Sequence, residues 1–319
     1  MKKGYVFIAI ATVLFSTMEI ALKTVAGVFN PLQMTFSRFF IGGLILLPFA
    51  LRALKNRGIT LRWKDLTPFV GIGFVGMTVS MTLYQLAVTR TEASVVAVLF
   101  SSNPLFVLLF AYLLLGEPIY RRNLLALGLE IVGILFVIDP IHMELSPSGV
   151  ILTLLACLTF ALYGVMGKRQ SQRYGGTVNA CFSFLFGSLE LMALSLLTYI
   201  GPVADAMGRL GLDMFVRIPF FAGHSAATLP TFLYVSVCVT GVGFCSYFLA
   251  MEYAPANTVS LVFFFKPILA PILALLILNE QIAPNRWIGI ALMLAGSLSN
   301  LLPPLLAQRR AAKEEVQNR

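Results

Sequence analysis

Apolar residues run along this chain in blocks of roughly 17–25, separated by short polar segments. A block of that length crosses about 30 Å of hydrocarbon as a helix. The pattern predicts ten helices, over 4–27, 31–51, 66–88, 92–115, 122–139, 147–168, 178–201, 229–250, 256–278 and 285–307. No polar segment is long enough for an independent soluble domain. The link 202–228 is longer than a tight loop, and its stretch VADAMGRLGLDMFVRI reads as a short interfacial helix. The first block, led by Met-Lys-Lys, has the outline of a secretory leader. It is too long, carries Glu19 and Lys23, and lacks a small-residue cleavage site, so it reads as a retained first helix.

Composition agrees: 58% of the residues are hydrophobic and 12% charged, with mean hydropathy +0.88. A soluble chain runs near a quarter charged. The net charge of +9 suggests nucleic acid until its distribution is considered. With the amino terminus in the cytoplasm, the inner segments hold Lys2, Lys3, Arg52, Lys55, Arg57, Arg62, Lys64, Arg121, Arg122, Lys168, Arg169, Arg173, Arg309, Arg310, Lys313 and Arg319. The outer segments hold only Arg90, Arg209, Arg217 and Arg286. That asymmetry is the positive-inside pattern of a bacterial-type inner membrane protein with both termini cytoplasmic. The basicity marks orientation, not a nucleic-acid partner.

The chain also repeats. At an offset of 163, YQLAVTRTEASVVAVLFSSNPLFVLLFAYLLLGEPI from Tyr84 falls without a gap on YFLAMEYAPANTVSLVFFFKPILAPILALLILNEQI from Tyr247. Tyr84 meets Tyr247, Ala93 meets Ala256, Phe100 meets Phe263, Pro104 meets Pro267 and Glu117 meets Glu280; further on Gly133 meets Gly296. An offset of 145 sets Gly4 on Gly149, Ala11 on Ala156, Phe15 on Phe160 and Lys23 on Lys168. Residues 1–145 and 146–307 therefore read as two copies of a five-helix unit, followed by a basic cytoplasmic tail, 308–319. An odd number of spans forces the copies to enter the membrane from opposite sides. The expected fold is all-α and polytopic, ten transmembrane helices as two inverted repeats, an architecture suited to alternating access around a midplane site.

The segments SRFFIGGLILLP, SSNPLFVLLFAYLLLGEPI and KPILAPILALLILNEQI resemble EamA-type members of the drug/metabolite transporter superfamily over nearly the whole chain. The resemblance implies a ten-helix basket with a central cavity built by the first, third, fourth, sixth, eighth and ninth helices. It also implies export or exchange of amino acids, metabolites or drugs. One departure is Asn279-Glu280 where the family has Gly-Glu.

Motifs for other chemistry fail on context. GIGFVG at Gly71–Gly76 matches a dinucleotide-binding pattern but starts an apolar helix, with no strand before it; its glycines suit close helix approach instead. Ser-His-Asp, H-E-x-x-H and paired-carboxylate arrangements are missing, and both histidines, His142 and His224, fall in outer loops. Cys157, Cys181, Cys238 and Cys245 lie inside helices without metal-ligand spacing and read as small buried apolar residues. No enzyme, metal or cofactor is implied.

Charge within the spans points to the site, because an unpaired charge at the bilayer centre costs at least ~2.5–3.5 kcal/mol. Lys23 and Arg38 lie near the outer ends of their helices, within snorkelling reach, and read as anchors. Glu117 and Glu280, at helix ends, read as caps or tethers. Lys266 lies ten residues into its span, about 15 Å at ~1.5 Å per residue, which is the midplane. Its repeat counterpart is Asn103, and each directly precedes a proline. Those prolines, Pro104 and Pro267, remove a backbone N–H and free the carbonyls of Phe100 and Phe263, which predicts matched kinks acting as hinges. The candidate substrate site is Lys266, Asn103, Glu19, Tyr84, Tyr247 and Phe263, with Phe15, Phe160 and Tyr163 as further aromatic lining. A structural ion pair of Lys266 with Glu19, Glu130 or Glu190 competes with the site reading.

The sequence thus reads as a secondary transporter in a lipid bilayer, carrying a small amphipathic solute such as an amino acid or related carboxylated metabolite. The rival is a membrane-embedded lipid-carrier flippase or lipid-processing module, which needs an Arg/His/Asp cluster at one interface. A channel needs a ring of like charges or a filter-like loop. Proton coupling stays open, as does the choice between monomer and homodimer.

Overall fold

Helix starts and stops are written locally. Asn30 accepts from the Leu32 and Gln33 amides at 2.9 and 3.4 Å, with Pro31 opening the helix, and Ser146 accepts from Gly149 at 3.4 Å ahead of Pro147. A side-chain oxygen at the cap and a proline in the first turn satisfy or remove amides that have no partner within the helix. Glycines in the left-handed region, Gly58 (φ 65°) and Gly116 (φ 68°), end two helices on the other side. The structure, a computed structural model, describes residues 2–139, 145–210, 212–263, 266–296 and 298–299. His142, the 308–319 tail and the end of the tenth expected span lie outside them.

Among the described residues seven helices are long and apolar enough to cross a membrane: α1 (Lys3–Thr24), α2 (Pro31–Asn56), α3 (Trp63–Arg90), α4 (Ala93–Leu115), α6 (Pro147–Tyr174), α7 (Gly176–Leu197) and α8 (Leu229–Tyr253). Between α4 and α6 lies α5 (Arg121–Ile138). After α8 come a short helical run, α9a (Ala256–Val259 with Ser260–Phe263), then α9b (Lys266–Leu278) and α10 (284–296). The link after α7 holds the helix Gly201–Arg209 and a single 3-10 turn, Asp213–Phe215. Among the described residues no strand forms; one isolated bridge pairs Ala26 with Phe29. The chain is an all-helical, multi-pass membrane protein. Leucine and isoleucine faces point outward, as on α5, where Leu124, Leu125, Ile131, Val132 and Leu135 are all exposed. Acyl chains cover such a face at no cost, so helix association relies on packing and small residues.

Small residues set the tightest crossings. A Cβ on Gly73 would lie 2.7 Å from the Gly187 amide and the Ser183 carbonyl of α7. One on Gly133 of α5 would meet Met293 Cγ at 2.6 Å and the Gly289 carbonyl at 2.7 Å, and one on Gly296 would meet the Ala126 carbonyl at 2.8 Å and Glu130 Cγ at 3.4 Å. Ala126 and Gly289, like Glu130 and Met293, stand 163 positions apart. The same offset relates the π-helical stretch Phe74–Met81 of α3 to the last eight residues of Tyr234–Phe244 in α8.

The expected mid-helix kinks take a sharper form. α4 is interrupted at Ser101 and Ser102, between Ala93–Phe100 and Asn103–Phe110, which runs on to Leu115. Pro104 sits in the first turn of the second half, and Pro267 is the second described residue of α9b. First-turn amides have no helical partner, so Pro104 is accommodated by restarting the helix instead of bending it.

Candidate functional site

The interruption of α4 lies against α6 and α9a. Pro104 leaves the Phe100 carbonyl without a helical donor, and the Cys157 thiol of α6 fills that role at 3.4 Å. The second half of α4 opens on Asn103, whose repeat counterpart Lys266 is the first described residue of α9b. Broken helices at such depth are tolerated where the freed groups meet protein or a polar cavity.

Lys266 forms an ion pair with Glu19 of α1, and both side chains are 0% exposed. Snorkelling is therefore ruled out, and the carboxylate supplies the compensating charge. Of the three carboxylates weighed from the sequence, Glu19 is the one paired with it. Glu130 is buried beside α10, and Glu190 accepts a hydrogen bond from Thr78 at 3.1 Å. Among the described residues, the buried oxygens Tyr247 Oη and Asn103 Oδ1 near this pair have no hydrogen-bond partner, and the Tyr84 hydroxyl adjoins the Glu19 carboxylate. The Asn103 amide does donate to the Cys157 carbonyl at 3.3 Å. Native interiors pair nearly all such groups.

Aromatic rings wall it. The Lys266 ammonium lies 4.8 Å from the Phe100 ring centroid, 5.6 Å from Tyr84 and 5.9 Å from Phe263, within cation–π range. Tyr84 packs on Phe100 with centroids 5.0 Å apart, and Tyr247 on Phe263 at 6.3 Å. Phe15 touches Phe263 and Tyr247, and Phe160 touches Phe100, Phe263 and Tyr247. The cage is three repeat-related pairs: Phe15 and Phe160, Tyr84 and Tyr247, Phe100 and Phe263. The charges break that symmetry, since Lys266 corresponds to Asn103 and Glu19 to Gly164. Tyr84 adjoins the Glu19 carboxylate, while Tyr247 points its hydroxyl against Gly164.

All six candidate residues from the sequence thus come together, and Phe15 and Phe160 with them. Tyr163 stands one step behind, 5.6 Å from Phe160 and hydrogen-bonded to Ser183 at 3.4 Å. The sequence singles out Phe100 as a repeat partner and for its freed carbonyl; its ring, 4.8 Å from the ammonium, is the nearest among the described residues. Arg38 is a correction. It is fully buried between Met18 and Met81 (Nη–Sδ 3.6 and 3.7 Å), stacked 4.6 Å from the Phe39 ring, with its Nε unpaired. Counting residues from the helix end placed it in snorkelling reach, but its face of α2 turns inward, toward Glu19 and Tyr84. Lys23, partly exposed near the end of α1, donates its ammonium to the Val88 and Thr91 carbonyls at 3.0 and 2.6 Å. Near Arg169 a cleft of about 280 Å³ opens between α3, α4 and α6, lined by Pro68, Gly71, Leu114, Leu115, Met166 and Gln170 among others.

The model of the EamA-like transporter family matches residues 2–139 and 147–302. An uncharacterized transporter of Clostridium kluyveri is 34% identical over 308 residues, spanning 94% of this chain and 93% of its own. A protein of Rickettsia prowazekii named as an S-adenosylmethionine uptake transporter is 20% identical, over 80% of this chain and 87% of its own. One solved crystal structure superposes with a TM-score of 0.68 over 97% of this chain and 99% of that one, at 18% identity, which is a likeness of fold.

Proposed function

Because this chain belongs to the EamA-like transporter family, we propose that it is a secondary carrier, an exporter or exchanger, of an amino acid or related carboxylated solute. Lys266 takes the solute's carboxylate, Glu19 takes its ammonium or a proton, and the aromatic cage takes its apolar body. The observation that carries this reading is the wholly buried Lys266–Glu19 pair, with the unmet oxygens of Tyr247 and Asn103 near it and the interruption of α4 just ahead of Asn103. A solute with both charges satisfies both partners at once and leaves no net buried charge. S-adenosylmethionine, the solute in the rickettsial relative's name, carries an amino-acid carboxylate and ammonium, with a sulfonium in addition.

The full architecture in this reading is ten membrane helices in two inverted repeats, 1–145 and 146–307. The contacts of Gly133 and Gly296 support it, as do the paired cage residues. Pro104, with the interruption before it, and its counterpart Pro267 serve as the hinges on which the halves of the fourth and ninth spans turn. Residing in the inner membrane with both termini cytoplasmic follows from the basic asymmetry of the loops. Asn56 and Ser225 are both exposed and suit a labelling test. With single cysteines in a cysteine-free background, an impermeant thiol reagent outside intact cells should modify Ser225→Cys and spare Asn56→Cys. The opposite pattern inverts the orientation.

Transport itself is tested in proteoliposomes with a panel of radiolabelled amino acids and carboxylic acids. The expected result is saturable uptake of at least one member, accelerated by the same unlabelled solute inside. Unsaturable flux would mean a channel. Movement of a fluorescent lipid with no flux of any panel solute would favour the flippase reading.

A further inference from the structure

Two lysine–glutamate groups hold opposite ends of the bundle, at positions the repeat offsets relate. At one end Glu280 accepts from the Ala93 amide at 2.8 Å and from the Ser94 amide and hydroxyl at 3.0 and 2.6 Å. Lys23 donates beside it to the Val88 and Thr91 carbonyls. At the other end Glu117 accepts from the Ala256 amide at 3.3 Å, and Lys168 pairs with Glu117 at 3.3 Å and donates to the Ala254 carbonyl at 3.1 Å. Glu117 and Glu280, Ala93 and Ala256, and Thr91 and Ala254 are all 163 apart, and Lys23 and Lys168 are 145 apart. Each group seizes the same object: the turn between α3 and α4, or between α8 and α9a. Each acid caps a helix of the other repeat, so the caps cross the boundary along which the halves would have to rock.

The two ends are not equally closed. A Cβ on Gly149 would meet Thr91 Cβ at 2.7 Å, whereas one on its counterpart Gly4 would meet Tyr253 Cβ at 3.4 Å. The cleft lined by Leu114, Leu115, Arg169 and Gln170 lies beside the looser end. Charge-assisted bonds to first-turn amides are the strongest a helix end can make, and a rigid-body rotation of a few ångströms removes them together.

We propose that Glu280–Lys23 and Glu117–Lys168 are the two gates of the transport cycle, opened in alternation. This rests on the alternating-access reading but not on the identity of the solute, so its test needs none. Cys157, buried beside Asn103 and Ser102, is a native reporter of the chamber once Cys181, Cys238 and Cys245 are replaced by serine. An impermeant methanethiosulfonate is applied to right-side-out and inside-out vesicles and the labelling rate at Cys157 is read from each face. Glu280→Ala should raise the rate from one face about five-fold and lower it from the other; Glu117→Ala should do the reverse. Lys23→Met and Lys168→Met form a second pair with the same opposed signs, should either alanine variant fail to reach the membrane. Changes of the same sign in both variants, or unchanged rates where the parent labels from both faces, would mean caps that only stabilise helices, and would sink the gates alone. A parent labelled from neither face removes alternating access and the gates with it.

Discussion

Replacing Lys266 with Gln is expected to abolish transport of carboxylated solutes and to lower the melting temperature by several degrees. The stability loss follows from burial. Glu19 and Lys266 are both 0% exposed, and removing one partner of a buried pair costs about 3–5 kcal/mol because the other charge is stranded. Glu19→Gln strands the ammonium and should destabilise comparably. The double variant Lys266→Gln/Glu19→Gln leaves no charge and should regain most of the lost stability. Transport separates a site from a scaffold. As the solute's anchor, Lys266 contributes a charge-assisted bond of about 1.5–3 kcal/mol, or roughly 10–100-fold in affinity, which neutralising Glu19 does not restore. Melting temperature and solute affinity are measured for all three variants in detergent. If affinity recovers in the double variant together with stability, the pair is structural and the solute binds elsewhere.

The second large effect is expected at a glycine that looks no different in sequence from its neighbour. Gly73→Ala should destabilise the protein by about 1–3 kcal/mol, the range for forcing a methyl into a packed core. Its Cβ would stand 2.7 Å from two backbone atoms of α7, Gly187 N and Ser183 O, and neither can rotate away. Gly71→Ala is the matched control. It has nothing within 4 Å of the new atom, and alanine favours a helix over glycine by up to ~1 kcal/mol, so this variant should melt at or above the parent temperature. Thermal unfolding of the two variants side by side decides the matter. Equal losses would mean that α3 and α7 do not cross as closely as described.

Much of the site could be read before any coordinates, for identifiable reasons. Only helices and closed barrels cross hydrocarbon, and barrel strands alternate in polarity, so continuous apolar blocks of roughly 17–25 residues select an all-helical membrane chain. The offset of 163 pairs Tyr84 with Tyr247, Phe100 with Phe263 and Asn103 with Lys266, which marked one depth in two helices as special before it was known that they meet. Depth also singled out Lys266, because a lysine in mid-span needs a partner.

Which partner it has was not legible, since Glu19, Glu130 and Glu190 differ in sequence only by position. Helix rotation decided for Glu19, by turning that face of α1 toward the head of α9b. The same property separates Gly71 from Gly73 and turns Arg38 inward to the chamber, although its distance from the helix end allowed it to reach the interface. Depth along a span is a property of the chain, at about 1.5 Å per residue. Facing is a property of the bundle, because a helix advances about 100° per residue and only its neighbours determine which side is buried.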